Sequence, residues 1–211
     1  MLMLNIKENR AKTQLLWIGI GSICMFFAGL TSAVIVRRAE GNWLEFSIPN
    51  WFLYSSVTII LSSLFLFIAN WLIKNNKQSS PYIATTFLLS IVFVYFQFKG
   101  WQELTLRGVY LTGEGSNVAG SFLYVLTLAH LVHLIGGIIA LIFAIYFSLK
   151  NIYNKDNMLS FKLISTYWHF LGILWIFLYL FLKYKQEGSI SFVFNSILSQ
   201  KNYICNLIFS V

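Results

Sequence analysis

The charged residues of this chain fall in clusters, and between the clusters lie five long uncharged intervals, at 13–36, 46–73, 78–98, 115–149 and 163–182. They are 24, 28, 21, 35 and 20 residues long, and a helix needs roughly 20 apolar residues to cross a hydrocarbon core. Backbone amides in lipid must find partners within their own segment or in a closed neighbour, so such intervals are helices or strands of a closed barrel. Barrel strands are about 10 residues long and alternate strictly. LLSIVFVYF at 88–96 and LIGGIIALIFAIYF at 134–147 do not alternate. The pattern therefore predicts an all-α integral membrane protein, a bundle of five transmembrane helices at about 13–36, 51–73, 81–98, 117–149 and 163–183. One membrane domain covers residues 1–187. Pro49 and Pro81 fall at the starts of the second and third spans, where a missing amide proton costs little. The first interval is longer than the apolar stretch of about 7 to 15 residues in a secretory signal, and reads as a retained membrane helix.

Residues 188–211 are apolar but broken by Asn195, Gln200, Lys201, Asn202 and Asn206. Their uncharged pieces are too short to span, so the segment is expected to be an extra C-terminal tail lying at the interface or docked on a partner.

Composition sharpens this picture. Of 211 residues 58% are apolar and only 10% are charged, against about a quarter charged in ordinary soluble domains. The formal net charge is +8, yet the basic residues flank the apolar runs. That places them at helix ends near lipid headgroups rather than on a nucleic-acid surface. Cys24 and Cys205 cannot build a disulfide framework. With five spans the N-terminal side collects eight basic residues and the opposite side seven, which favours a cytoplasmic N-terminus by one charge.

Candidate chemistry is sparse. All three histidines lie in spans: His130 and His133 near the middle of the fourth, and His169 in the fifth. Ionisable groups at that depth face the bundle interior, and residues three apart share a helix face. Three readings stand open: axial ligands of a b-type haem, a proton relay, and structural imidazoles bonding between helices. A relay would be expected to include Asp or Glu, and no acidic residue falls in the five intervals. The face of His130 and His133 continues through Gly137, Ala140 and Ala144, a small-residue stripe that admits a neighbouring helix. Gly21, Met25, Ala28 and Ser32 form a second such face on the first span, and both are expected to pack against partners. Ser165, Trp168, Gly172, Trp175 and Tyr179 share one stripe of the fifth span, read as packing plus an aromatic anchor near the interface. No nucleophile beside a base and no phosphate-binding loop is present.

In their order these segments resemble cytochrome c oxidase subunit III, in its short five-helix bacterial form. YWHFLGILW at 167–175 looks like the family's Y-W-H-F-x-D-x-x-W signature. GSFLYVLTLAHLVHLIGG at 120–137 is similar to its G-S-x-F segment with two histidines, and GSICMFFAGLTSAVIVRR at 21–38 to its S-E-x-M-F-F-A-x-L helix. IPNWFLYSSVTIILSS at 48–63 and FQFKGW at 96–101 also fit, the latter bringing in Gln97. The likeness covers about residues 13 to 185. Two positions depart from it: Ile23 and Gly172 stand where many members carry an acid.

The resemblance implies a non-catalytic subunit of a proton-pumping haem-copper terminal oxidase, which reduces oxygen to water in aerobic respiration. It implies haem and copper in the partner subunits and none in this chain, with subunits I and II as partners. It implies membrane lipids too, with phospholipid bound in a helix cleft. His130, His133, His169 and Gln97 become structural or lipid-cleft residues, and Gly21, Ala28, Gly137, Ala140, Trp168 and Trp175 packing and anchor residues. The expected location is a bacterial inner membrane, N-terminus cytoplasmic and C-terminus outside. Alternatives are a quinol-oxidase or nitric-oxide-reductase-associated relative, a stand-alone b-type cytochrome, and a small transporter, the last disfavoured by the absence of repeats and membrane carboxylates.

Overall fold

The computed structural model describes residues 2–39, 43, 46–75, 77–113, 116–150 and 158–186. Among them it contains five α-helices and no strand: α1 Leu2–Ala39, α2 Trp51–Lys74, α3 Ser80–Leu106, α4 Val118–Leu149 and α5 Leu159–Gln186. All five are long and apolar enough to cross a membrane. The predicted tail, 188–211, lies outside the described residues.

The helices outrun the intervals that predicted them. α1 begins at Leu2 instead of 13, and α3 continues past Lys99 to Leu106. A charge marks where lipid ends, not where the backbone stops coiling, because Lys, Arg and Glu are good helix formers in water. The ends carry local signals of their own. Asn117 caps α4 by accepting from the Ala119 amide at 2.8 Å. Past its last residue, Leu106, and the capping Arg107, α3 is followed by Gly108, with φ +79. The Gly108 amide donates to the Thr105 carbonyl at 3.1 Å and the Val109 amide to the Leu104 carbonyl at 3.0 Å. Those two bonds satisfy carbonyls a helix end leaves open, and the left-handed residue between them is one that glycine tolerates.

Packing follows a ring. α2 lies against α3, α3 against α4, α4 against α5, and α5 closes back on α2; α1 sits outside, against α4 and α5. The core is largely apolar, with Phe27, Ile59, Leu66, Ile83 and Leu134 inside it, but polar side chains share it and the outer surface is apolar too. Ser55, Ser56, Ser62, Thr86, Ser90, Gln97, Thr127 and His130 are buried, whereas Leu64, Phe67, Leu88, Val132, Phe143 and Ile173 face outward. A lipid surround makes this arrangement stable, since tails give apolar side chains no reason to hide and give polar ones no partner.

Candidate functional site

The centre of the bundle is a cluster of five rings, one from each helix. The His130 ring of α4 lies 5.1 Å from Trp175 of α5, 6.1 Å from Phe93 of α3 and 6.5 Å from Phe27 of α1, centroid to centroid. Phe93 meets Trp175 edge-on at 5.2 Å, and Phe52 of α2 completes the set 6.1 Å from Trp175. His130 is 0% exposed, and neither of its ring nitrogens has a hydrogen-bond partner among the described residues. A buried polar group in that state carries a desolvation cost of about 1–3 kcal/mol.

Around the cluster, hydrogen bonds run from helix to helix. Trp168 Nε1 donates to Ser62 Oγ at 3.1 Å and Trp175 Nε1 to Ser56 Oγ at 3.0 Å. Both rings are 1% exposed. The serines in turn donate to their own helix, Ser62 to the Ile59 carbonyl and Ser56 to the Phe52 carbonyl, each at 2.8 Å. Each hydroxyl thus gives one bond inward along α2 and takes one from α5. From the other side Gln97 Nε2 of α3 donates to Ser55 Oγ at 3.0 Å, leaving its Oε1 unbonded among the described residues. Trp101 Nε1 joins α3 to Thr127 Oγ1 of α4, also at 3.0 Å. In membranes such bonds average about 0.6 kcal/mol each; their value here is register, since α5 cannot slide a turn along α2 without losing both.

The sequence-predicted residues are distributed unevenly around this interior. The His133 ring lies 5.6 Å from Phe27, its Nδ1 is 2.7 Å from the Ala129 carbonyl, and the Tyr167 hydroxyl donates to the His133 carbonyl at 3.2 Å. His169 points elsewhere, into a groove between α2 and α5. The three imidazoles therefore occupy three different surroundings, and the fold does not oppose His169 to either of the others. Trp168 and Trp175, expected as packing and anchor residues, pack in the interior and donate there to serine oxygens of α2.

The small-residue faces also separate. Gly137 lies inside the α4–α5 contact: a Cβ there would come within 3.0 Å of Leu171 Cδ1 and 3.2 Å of Trp168 Cε3. Its smallness serves the chain's own packing, a correction to the expectation that it meets a partner. Ala140 lines a groove between α1 and α5. On α1 the inward side is Ile20, Phe27, Thr31 and Val34. Gly21 has nothing within 4 Å of where its Cβ would be, and Met25 is 79% exposed. Ala28 and Ser32 are also exposed but edge a second α1–α5 groove. The expected helix contact of the Gly21 face is thus not made within the described residues.

Sequence reasoning missed Ser55, Ser56 and Ser62. The signal was present as a matched spacing: Trp168 and Trp175 are seven apart on α5, and serines recur six to seven apart on α2. Seven residues return to nearly the same face of a helix, which makes two such pairs fit one antiparallel contact.

Comparison with known proteins decides the family. The model of the family described as "Cytochrome c oxidase subunit III" matches residues 44–187, which include the whole α2–α5 ring. The chain belongs to the cytochrome c oxidase subunit III family. Among similar subunits is a probable cytochrome c oxidase subunit 3 of Nocardia farcinica, 30% identical over 174 residues, covering 77% of this chain and 82% of the relative. Another is the cytochrome bo(3) ubiquinol oxidase subunit 3 of Buchnera aphidicola, 29% identical over 175 residues, 79% of this chain and 82% of that one. A Drosophila yakuba cytochrome c oxidase subunit 3 aligns over 107 residues at 29% identity, 51% of this chain and 38% of its own length. As a subunit III, the chain is a component of a haem-copper oxidase complex; α1 lies outside the family match and packs on the ring it leaves complete.

Proposed function

We propose that this chain is the non-catalytic subunit III of a proton-pumping terminal oxidase that reduces oxygen to water. In that role it packs against subunit I, alongside subunit II, while haem and copper are held by those partners. The single observation that carries the reading is the family match over all four helices of the ring. The proposed location is a bacterial inner membrane, N-terminus in the cytoplasm and C-terminus outside, in keeping with the excess of one basic residue on the N-terminal side. Phospholipid is proposed to occupy the α1–α5 side of the bundle. Two apolar grooves follow one another there, of about 520 Å³ beside Lys12, Ile20 and Tyr167 and about 530 Å³ beside Phe27, Thr31 and Phe177. Lys12 stands at the mouth of the first, at headgroup depth.

A second reading concerns the electron donor: the Buchnera aphidicola relative is a subunit of a ubiquinol oxidase, so quinol stands beside cytochrome c as the donor of the complex. Affinity purification of the chain in gentle detergent, with a difference spectrum and identification of the co-purifying proteins, tests the assignment. Recovery with a haem-bearing subunit I, and no haem on this chain once separated, is the expected result. A solitary chain carrying its own haem overturns it. Oxygen uptake by the recovered complex with reduced cytochrome c or with quinol assigns the donor.

A further inference from the structure

Two kinds of seam hold this bundle together. Every seam of the ring carries a hydrogen bond between helices. Thr86 Oγ1 of α3 donates to the Ser62 carbonyl of α2 at 3.3 Å, Trp101 joins α3 to Thr127 of α4, Tyr167 of α5 donates to the His133 carbonyl of α4, and Trp168 and Trp175 close α5 on α2. α1 is attached differently. Its Thr31 hydroxyl is shared between the Phe27 and Ala28 carbonyls of its own helix, at 2.9 and 3.1 Å. Nearer its start, Thr13 donates to the Asn9 carbonyl and Lys12 pairs with Glu8, again within α1. What α1 presents to α4 and α5 is one stripe, Ile20, Phe27, Thr31 and Val34, with Phe27 1% exposed against the rings of His133 and His130. Beside that stripe α1 stands off α5: one groove between them is lined by Ile23, Leu163 and Tyr167, the next by Ala28, Phe170 and Phe177.

Lipid gives an apolar helix no reason to seek a protein surface, so association in the membrane rests on packing and on hydrogen bonds. The ring has both; α1, among the described residues of its apolar interval 13–36, has packing alone. The ring also fixes its own entry. Arg107 Nη1, past the end of α3, donates to the Ser47 carbonyl at 3.1 Å and to Ser47 Oγ at 2.7 Å, so the chain is fastened just ahead of α2 whatever α1 does. The family match starts close by, at residue 44. α1 is long and apolar enough to cross a membrane as a helix by itself, with its backbone bonds satisfied internally. We infer that the α4–α5 face around His130 and His133 is a helix-binding site and that α1 is its tethered, exchangeable occupant, seated by Phe27: a free transmembrane segment of the same sequence takes its place while the ring stays closed.

The test uses the full chain in lipid nanodiscs, with a protease site inserted after Gly41 and cut once the protein is purified. A fluorescent synthetic peptide of residues 1–39 is added in excess from lipid vesicles. Its incorporation, the release of the native segment and the melting temperature of the remaining ring are followed. Exchange below that melting temperature is expected, with the melting temperature itself unchanged by the cut or by the exchange. A peptide carrying Phe27→Ala should compete about tenfold less well, as the loss of its ring contacts implies. One carrying Met25→Ala, altered on the outward side where Met25 is 79% exposed, should compete like the native segment. A native segment that stays until the ring itself melts, a ring that unfolds once α1 is cut or exchanged, equal competition by the Phe27→Ala and native peptides, or entry of an unrelated apolar helix as readily as the native one would each overturn the inference.

Discussion

His130 shows how far a single side chain's surroundings constrain what it does. Enclosed by rings from three other helices and offered no hydrogen-bond partner among the described residues, it contributes ring contacts worth about 0.5–1.5 kcal/mol a pair. Against these stands a desolvation cost of about 1–3 kcal/mol. His130→Leu, similar in volume, is therefore expected to be near neutral in thermal unfolding of the detergent-solubilised protein. A loss above about 3 kcal/mol would show that a partner reaches the ring from beyond the described residues. The two glycines of the small-residue faces give opposite expectations. Gly137→Leu forces a side chain against Leu171 and Trp168 and should destabilise the chain by about 1–3 kcal/mol. Gly21→Leu meets nothing in the chain and should leave its own melting unchanged, so that any loss of co-purifying subunits in that variant reports a partner contact on α1. The sequence set each glycine on a small-residue face but could not say which face the chain itself would fill, because periodicity gives a direction around a helix but not the neighbour it points at.

Between elements, the α2–α5 seam is set by two indole–serine bonds. Ser56→Ala leaves the Trp175 N–H buried without an acceptor and should cost about 1–2 kcal/mol. Trp175→Phe on the same background should add less than it does alone. A double-mutant cycle on thermal stability checks this, with a coupling of about 0.5–1.5 kcal/mol expected; strict additivity would mean the bond carries no energy. The five helices were legible because charge-free runs of 20 residues or more have few other fates. Their ends were less so, as α1 and α3 extend into charged sequence where helix propensity takes over from hydropathy. The seam itself was written in serines, which read as filler until the tryptophans opposite give them something to accept.

For the molecule as a whole, orientation in the membrane is the proposal most open to direct measurement. The α2–α3 turn near Gln78 and the α3–α4 loop near Thr112 lie at opposite ends of the bundle. In a cysteine-free background, Thr112→Cys should react with an impermeant thiol reagent added to intact cells and Gln78→Cys should not; the reverse pattern would invert the topology. The ring arrangement has a further consequence, for the order in which the chain is made. The bonds that close the ring join residues 106 and 119 positions apart, and the helix that supplies their donors is the fifth of the five to be synthesised. While α1 to α4 enter the bilayer, the acceptors on α2 have no indole to meet and one side of the barrel of helices stands open to lipid. Entry of α5, rather than of any earlier segment, is then the step at which the ring closes. A chain that stops short of α5 therefore leaves the Ser56 and Ser62 hydroxyls without their indole donors and α2 without one of its two neighbours in the ring.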